Sequence, residues 1–143
     1  MKRVYVNEKW CLGCRLCEYY CAFAGTGEKD MARALKDIKI NPRINIEESG
    51  AISFAVSCRH CCDPLCVKGC ITGALTVADE VITINKEKCV SCYTCILCCP
   101  HGAISPSADG AVQKCELCVE NDYPACVSGC PNAAIVYEER VKT

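Results

Sequence analysis

Cys89, Cys92, Cys95, Cys99 and Pro100 read C-x2-C-x2-C-x3-C-P, and no other stretch of the 143 residues narrows the possible structures as far. Three thiolates at that spacing wrap one face of a [4Fe-4S] cubane, while the fourth is carried out of reach of the same cube and ligates a neighbouring one. One run therefore demands another. The chain supplies three more: Cys11, Cys14, Cys17 and Cys21; Cys58, Cys61, Cys66 and Cys70; and Cys115, Cys118, Cys126 and Cys130. Four runs predict four clusters.

Eighteen cysteines in a chain with only 6% aromatic residues describe a protein whose apolar core is thin. Such lean chains need covalent or metal staples to supply what burial does not. Disulfides are one kind of staple, but Met1 to Glu8 offers no apolar stretch and no cleavage signal. A cytoplasmic location is expected, where thiols stay reduced and clustered cysteines bind metal. No apolar run approaches the 18 or so residues of a membrane span, so no direct membrane insertion is expected. The formal net charge is −1, and four all-thiolate clusters at about −2 each take it to about −9, which argues against nucleic acid as a partner. Arg15, Arg59, Lys68, Lys88 and Lys114 stand beside cysteines and offset part of that field, each expected on a solvated surface.

Repeats organise the rest. Val4-Tyr5-Val6 leads to Cys11 as Val81-Ile82-Thr83-Ile84 leads to Cys89, with Asn7 and Asn85 each four residues before the cysteine. Beyond the runs, Cys70-Ile71-Thr72-Gly73-Ala74-Leu75, Cys99-Pro100-His101-Gly102-Ala103-Ile104 and Cys130-Pro131-Asn132-Ala133-Ala134-Ile135 share one pattern. The unit is strand, cluster loop, short helical turn, strand, which makes the fold class α+β. Ala74 to Ile84 reads as a hairpin turning at Ala78-Asp79-Glu80, so the second and third runs form one compact inner module over residues 55–110. The first and fourth are left to pair around it, giving an outer module from residues 1–21 plus 111–143, with Ile135-Val136-Tyr137 beside Val4-Tyr5-Val6. Residues 22–54 are an insertion: a short helix over Glu28 to Lys39, a polar-apolar alternation over Lys39 to Ile46, a turn at Glu47 to Gly50 and a returning strand at Ile52 to Val56. Its expected role is to cover a cluster, with docking of a partner as the alternative.

The phrase Cys58-Arg59-His60-Cys61-Cys62-Asp63-Pro64-Leu65-Cys66-Val67-Lys68-Gly69-Cys70, with Lys114-Cys115-Glu116-Leu117-Cys118 and Pro124-Ala125-Cys126-Val127-Ser128-Gly129-Cys130-Pro131, resembles a known family. It is the four-cluster ferredoxin-like electron-transfer subunits that accompany molybdopterin oxidoreductases, formate hydrogenlyase, tungsten aldehyde oxidoreductases and carbon monoxide dehydrogenase. The likeness covers nearly the whole chain. The compact form looks most like the carbon monoxide dehydrogenase-associated member, with Ala22 and Ile71 standing where proline is common after Cys21 and Cys70. The resemblance implies two nested ferredoxin-like modules and four ligand sets: Cys11, Cys14, Cys17 and Cys130; Cys115, Cys118, Cys126 and Cys21; Cys58, Cys61, Cys66 and Cys99; Cys89, Cys92, Cys95 and Cys70. It also implies a non-catalytic polyferredoxin subunit relaying single electrons between a catalytic oxidoreductase, carbon monoxide dehydrogenase favoured, and an acceptor protein in an anaerobic setting. A tungsten aldehyde oxidoreductase, hydrogenase or formate dehydrogenase partner is the alternative, as is a free diffusible polyferredoxin.

Cys62 and Cys98 remain over and are expected as buried thiols without iron. Zinc is the competing metal, but it needs only paired C-x2-C elements, whereas the first and third runs add a third cysteine at x2 and a fourth at x3. Cys58-x-His60 and Cys98-x2-His101 imitate the halves of a Rieske box, yet Cys58 already belongs to a complete run. Trp10, Tyr19, Tyr20, Tyr93 and Tyr123 are expected to pack over clusters and exclude water. Gly13, Gly73 and Gly102 are expected to let backbone approach them. No G-x-G-x-x-G, P-loop or Ser/His/Asp arrangement is present, and no catalytic residue is expected.

Overall fold

A computed structural model describes every residue except Ile38 and residues 141–143. Its strands are β1 (Arg3–Val6), β2 (Asn45–Ser49), β3 (Ile52–Val56), β4 (Leu75–Ala78), β5 (Val81–Ile84), β6 (Ile104–Pro106), β7 (Val112–Lys114) and β8 (Ile135–Glu138). The helices are short: α1 (Leu16–Ala24), α2 (Met31–Ala34), α3 (Leu65–Lys68), α4 (Thr94–Cys98) and α5 (Ala125–Gly129). The strands form four two-stranded antiparallel sheets, β1-β8, β2-β3, β4-β5 and β6-β7. A lone two-stranded sheet is marginal in water. Each therefore depends on what is packed against it.

Local chemistry fixes the hairpins. Between β4 and β5, Asp79 and Glu80 both take positive φ, 49° and 64°, the primed-turn geometry whose twist suits paired strands. β1 pairs with β8 across the full chain length, Val4 opposite Tyr137 and Val6 opposite Ile135. Asn7 N–H then bonds Ala134 O at 2.8 Å, as Asn85 N–H bonds Ala74 O at 2.8 Å. The two asparagines also accept from backbone two residues on, Lys9 N–H at 3.1 Å and Glu87 N–H at 3.0 Å. The sequence repeat is thus a repeat of Asx turns that aim the strand into the cysteine loop.

Two packing centres result. One gathers Val4, Cys17, Ile44, Ile46, Ala55, Leu117, Cys126 and Ile135; the other gathers Cys66, Leu75, Ile82, Cys95, Ile104 and Val112. α1 packs on α5 and α3 on α4, and both pairs close on a glycine three residues after a cysteine. A Cβ at Gly129 would lie 2.4 Å from the Tyr20 ring, and one at Gly69 would lie 2.9 Å from Cys98 Sγ.

The insertion differs from expectation. The expected helix over Glu28 to Lys39 shrinks to α2, capped by Asp30 accepting from Ala32 N–H at 3.0 Å and followed by Asp37 at φ 58°; Ile38 lies outside the described residues. The first strand begins only at Asn45, and Glu47 and Glu48 belong to it, not to the turn. The preceding backbone is engaged elsewhere: Arg43 N–H points at Cys21 Sγ, 3.2 Å, and Pro42 O accepts from Gln113. Gly50, at φ 59°, opens the two-residue connection to β3. Ile44 and Ile46 of this insertion, with Ala55 just beyond it, share the first packing centre with Cys17 and Cys126.

Candidate metal centres

Every cysteine loop passes through left-handed backbone two residues after its first cysteine: Gly13 at φ 67°, His60 at 47°, Ser91 at 58° and Leu117 at 58°. Three of these four are not glycine, and a side chain there costs about 1–2 kcal/mol. Strain repeated at one motif position marks a loop shaped by what it surrounds. The curl turns backbone N–H groups inward, His60 N–H towards Cys58 Sγ at 3.5 Å and Leu117 N–H towards Cys115 Sγ at 3.4 Å. After the loop, the third cysteine of each run is the second residue of a helix. Those four, Cys17, Cys66, Cys95 and Cys126, are all buried.

The cysteines converge in fours. Cys11, Cys14, Cys17 and Cys130 line one cavity with Ile46, Pro131 and Ile135. Cys58, Cys61, Cys66 and Cys99 line a second with Ile82 and Ile104. Cys70, Cys89, Cys92 and Cys95 line a third with Leu75, Ile84 and Val112. After burial, the groups that act most strongly on Cys126 are Cys115, Cys21 and Cys118, in that order. Each set thus takes its fourth member from a different run.

The donors fit the group that the spacing implies. Burial pushes the Cys17 thiol up to about 12 and the Cys95 and Cys115 thiols up to about 11. Burial first, then neighbouring thiolates, raises Cys126 further. Such sulfurs are inert thiols unless a strong cation holds them as thiolates. Apolar walls, four sulfurs per set and N–H groups aimed at sulfur suit an iron–sulfur cube. Four sulfurs on zinc must stand roughly 3.8 Å apart, from a Zn–S bond of about 2.3 Å. Among the described residues no three or more His, Cys, Asp or Glu side chains close on a single ion position.

Some expectations fail. Cys62 is exposed and Cys98 only half-buried. Trp10, Tyr19 and Tyr123 are exposed; Tyr93, though exposed too, lines the cavity of Cys70, Cys89, Cys92 and Cys95 as expected, Tyr20 packs against Gly129, and Tyr123 meets Tyr137 edge to face at 5.7 Å. Lys114, expected in solvent, is 1% exposed. Several polar residues went unrecognised. Buried Glu18 accepts Ile46 N–H at 2.7 Å and pairs with Arg15 at 3.2 Å. Glu116 accepts Ile84 N–H at 2.8 Å and pairs with Arg43 at 3.2 Å. His60 Nδ1 accepts Ile82 N–H at 3.0 Å, and burial, then the charges of Lys114 and Arg3, hold that ring down at about 3. Sequence spacing signals ligands; it carries no signal for side chains that satisfy free strand edges.

Comparison with known proteins identifies the family. The profile of the 4Fe-4S dicluster domain matches residues 51–140. AegA of Escherichia coli (strain K12) is 35% identical over 141 residues, covering 92% of this chain, which spans only 21% of that protein. An iron-sulfur protein of Rhodospirillum rubrum is 33% identical, covering 92% of this chain and 79% of its own. The electron transport protein HydN of Escherichia coli (strain K12) is 32% identical, covering 97% of this chain and 89% of its own. Among solved structures, the BamBC active site complex of benzoyl coenzyme A reductase shares the fold, with a TM-score of 0.50 and 20% identity over 98% of this chain and 78% of that one. The chain belongs to the 4Fe-4S dicluster domain family, and four [4Fe-4S] clusters are the cofactors its eighteen cysteines fit.

Proposed function

We propose that this iron–sulfur protein is a non-catalytic electron-transfer subunit, in which Cys11, Cys14, Cys17 and Cys130, then Cys115, Cys118, Cys126 and Cys21, then Cys58, Cys61, Cys66 and Cys99, then Cys89, Cys92, Cys95 and Cys70 hold the four clusters. The observation that carries this reading is the convergence of four sulfurs, drawn from two runs, on each cavity. The first two sets form an outer module, residues 1–21 plus 111–143, and the last two an inner one, residues 55–110, with 22–54 inserted. Each cluster, when bound, takes up and gives back one electron without changing its ligands. The residues' part is to hold sulfur as thiolate, to donate N–H groups to it and to exclude water. With four protein sulfurs for four irons, no coordination position is left for a substrate. That separates a carrier from an enzyme.

Carbon monoxide dehydrogenase is the catalytic partner we favour, on the compact arrangement of the runs, in the reducing cytoplasm of an anaerobic cell. A hydrogenase or formate dehydrogenase is the second reading, favoured by relatives that include Hydrogenase-4 component A, 27% identical over 94% of this chain. A free diffusible carrier is the third. Anaerobic affinity isolation from native extract tests all three: a stoichiometric large subunit co-migrates, and carbon monoxide bleaches the cluster absorbance. Bleaching by hydrogen or formate instead selects the second reading. No co-migrating subunit selects the third.

A further inference from the structure

Lys114 is the least expected side chain in the fold. It is 1% exposed, and its ammonium is held by two backbone carbonyls. Its Nζ donates to Ile82 O and to Cys115 O, the latter at 2.6 Å. Ile82 lines the cavity of Cys58, Cys61, Cys66 and Cys99, and Cys115 belongs with Cys118, Cys126 and Cys21. One ammonium is therefore anchored to the wall of one ligand set and to the backbone of the other.

Its neighbours leave the charge uncompensated. Glu116 is already committed to Ile84 N–H and Arg43. His60 accepts Ile82 N–H through Nδ1, so its proton sits on Nε2 and the ring adds no charge. That Nε2 is itself buried without a partner. The Lys114 charge bears on both Cys66 and Cys115, and Cys58 bears on Cys115. A buried cation needs negative charge close by, and with the Glu116 carboxylate already bonded to Arg43 and Ile84 the two clusters due on either side of this seam carry the sign it lacks.

We infer that Lys114 is an electrostatic positioning residue shared by two of the four cluster sites, Cys58/Cys61/Cys66/Cys99 and Cys115/Cys118/Cys126/Cys21, and raises the reduction potential of both above that of the other two. The inference rests on the ligand reading proposed above. Reduction adds one negative charge to a site, and a cation in low dielectric stabilises that added charge more than it stabilises the oxidised state. Electrons then rest preferentially at the seam where the two halves of the chain meet.

The test is an anaerobic titration of the holoprotein against dithionite, followed by electron paramagnetic resonance. Lys114→Gln keeps donors for the two carbonyls but removes the charge; Lys114→Arg keeps the charge. In K114Q two of the four sites shift to lower potential by at least tenfold in the one-electron equilibrium, about 59 mV, while K114R leaves all four near their original values. An iron-replete K114Q with unchanged potentials, or with all four shifted alike, overturns the inference and leaves the ligand reading standing. Should K114Q lose iron, Cys95→Ala decides: it removes a low-potential signal, and loss of a high-potential one overturns the inference. A wild-type protein without four reducible clusters overturns both.

Discussion

The cysteines around α1 and α5 and those around α3 and α4 are one motif in two environments. The outer group lies under the β2-β3 hairpin, with Cys17 and Cys115 pushed up to about 12 and about 11 by burial. In the inner group Cys95 is raised to about 11 by burial, but two of its partners go the other way. At Cys92 hydrogen bonds from Thr94 lower the thiol, and at Cys70 burial is outweighed by bonds from the backbone at Leu75 and from Thr72. Runs that all open C-x2-C and close C-x3-C thus present their sulfurs at different exposure. Exposure, hydrogen bonding and nearby charge are the means by which a protein spreads the potentials of chemically identical clusters.

The widest test of that contrast is removal of iron. Chelation under reducing conditions is expected to abolish most far-ultraviolet circular dichroism, because the two-stranded sheets and short helices of the described residues cannot stand on their own cores. Loss begins at the sites of exposed Cys92 and exposed Cys14; iron leaving first from the set of Cys115, Cys118, Cys126 and Cys21, which has no exposed member, would contradict the role given to exposure. Next in size, Cys126→Ala should cost about four of about sixteen irons, whereas Cys62→Ala should cost none. Equal losses from both would show that the register has slipped by one residue. Glu18→Ala removes a carboxylate bonded to Ile46 N–H and Arg15, an expected loss of about 1.5–3 kcal/mol. Hydrogen exchange should quicken at Ile46 but not at Ile82 or Ile84, keeping the damage in the outer region. The smallest effect lies in the turn shared by the residues after Cys70, Cys99 and Cys130. Gly73 and Gly102 sit at φ 67° and 61°, and Ala133 takes the same place at 51°. Ala133→Gly should stabilise by about 0.5–1 kcal/mol and Gly73→Ala should cost a similar amount, read as opposite shifts in Tm.

What could be read beforehand follows from what spacing encodes. Ligand spacing is a covalent constraint, so the four runs and the pairing of β1 with β8 were legible. So was the Asp79-Glu80 turn, whose residues must curl. The 22–54 segment was legible only as a hairpin, because its strand start is set by contacts with Cys21 and Gln113, distant in sequence. The left-handed positions at His60, Ser91 and Leu117 carry no local glycine signal. Lys114 and Glu116 resemble surface charges until the free edge of β5 is seen to need them. Aromatic residues misled for a related reason: the small cavities are sealed by Ile46, Ile82, Leu75 and Ile135, leaving Trp10 and Tyr19 outside.

Quantitative Mössbauer spectroscopy of anaerobically prepared, iron-57-enriched protein addresses the central claim most directly. The account predicts about sixteen irons per chain, all in four-iron clusters of like coordination. Far fewer irons, a substantial single-iron component, or stoichiometric zinc in their place would contradict it.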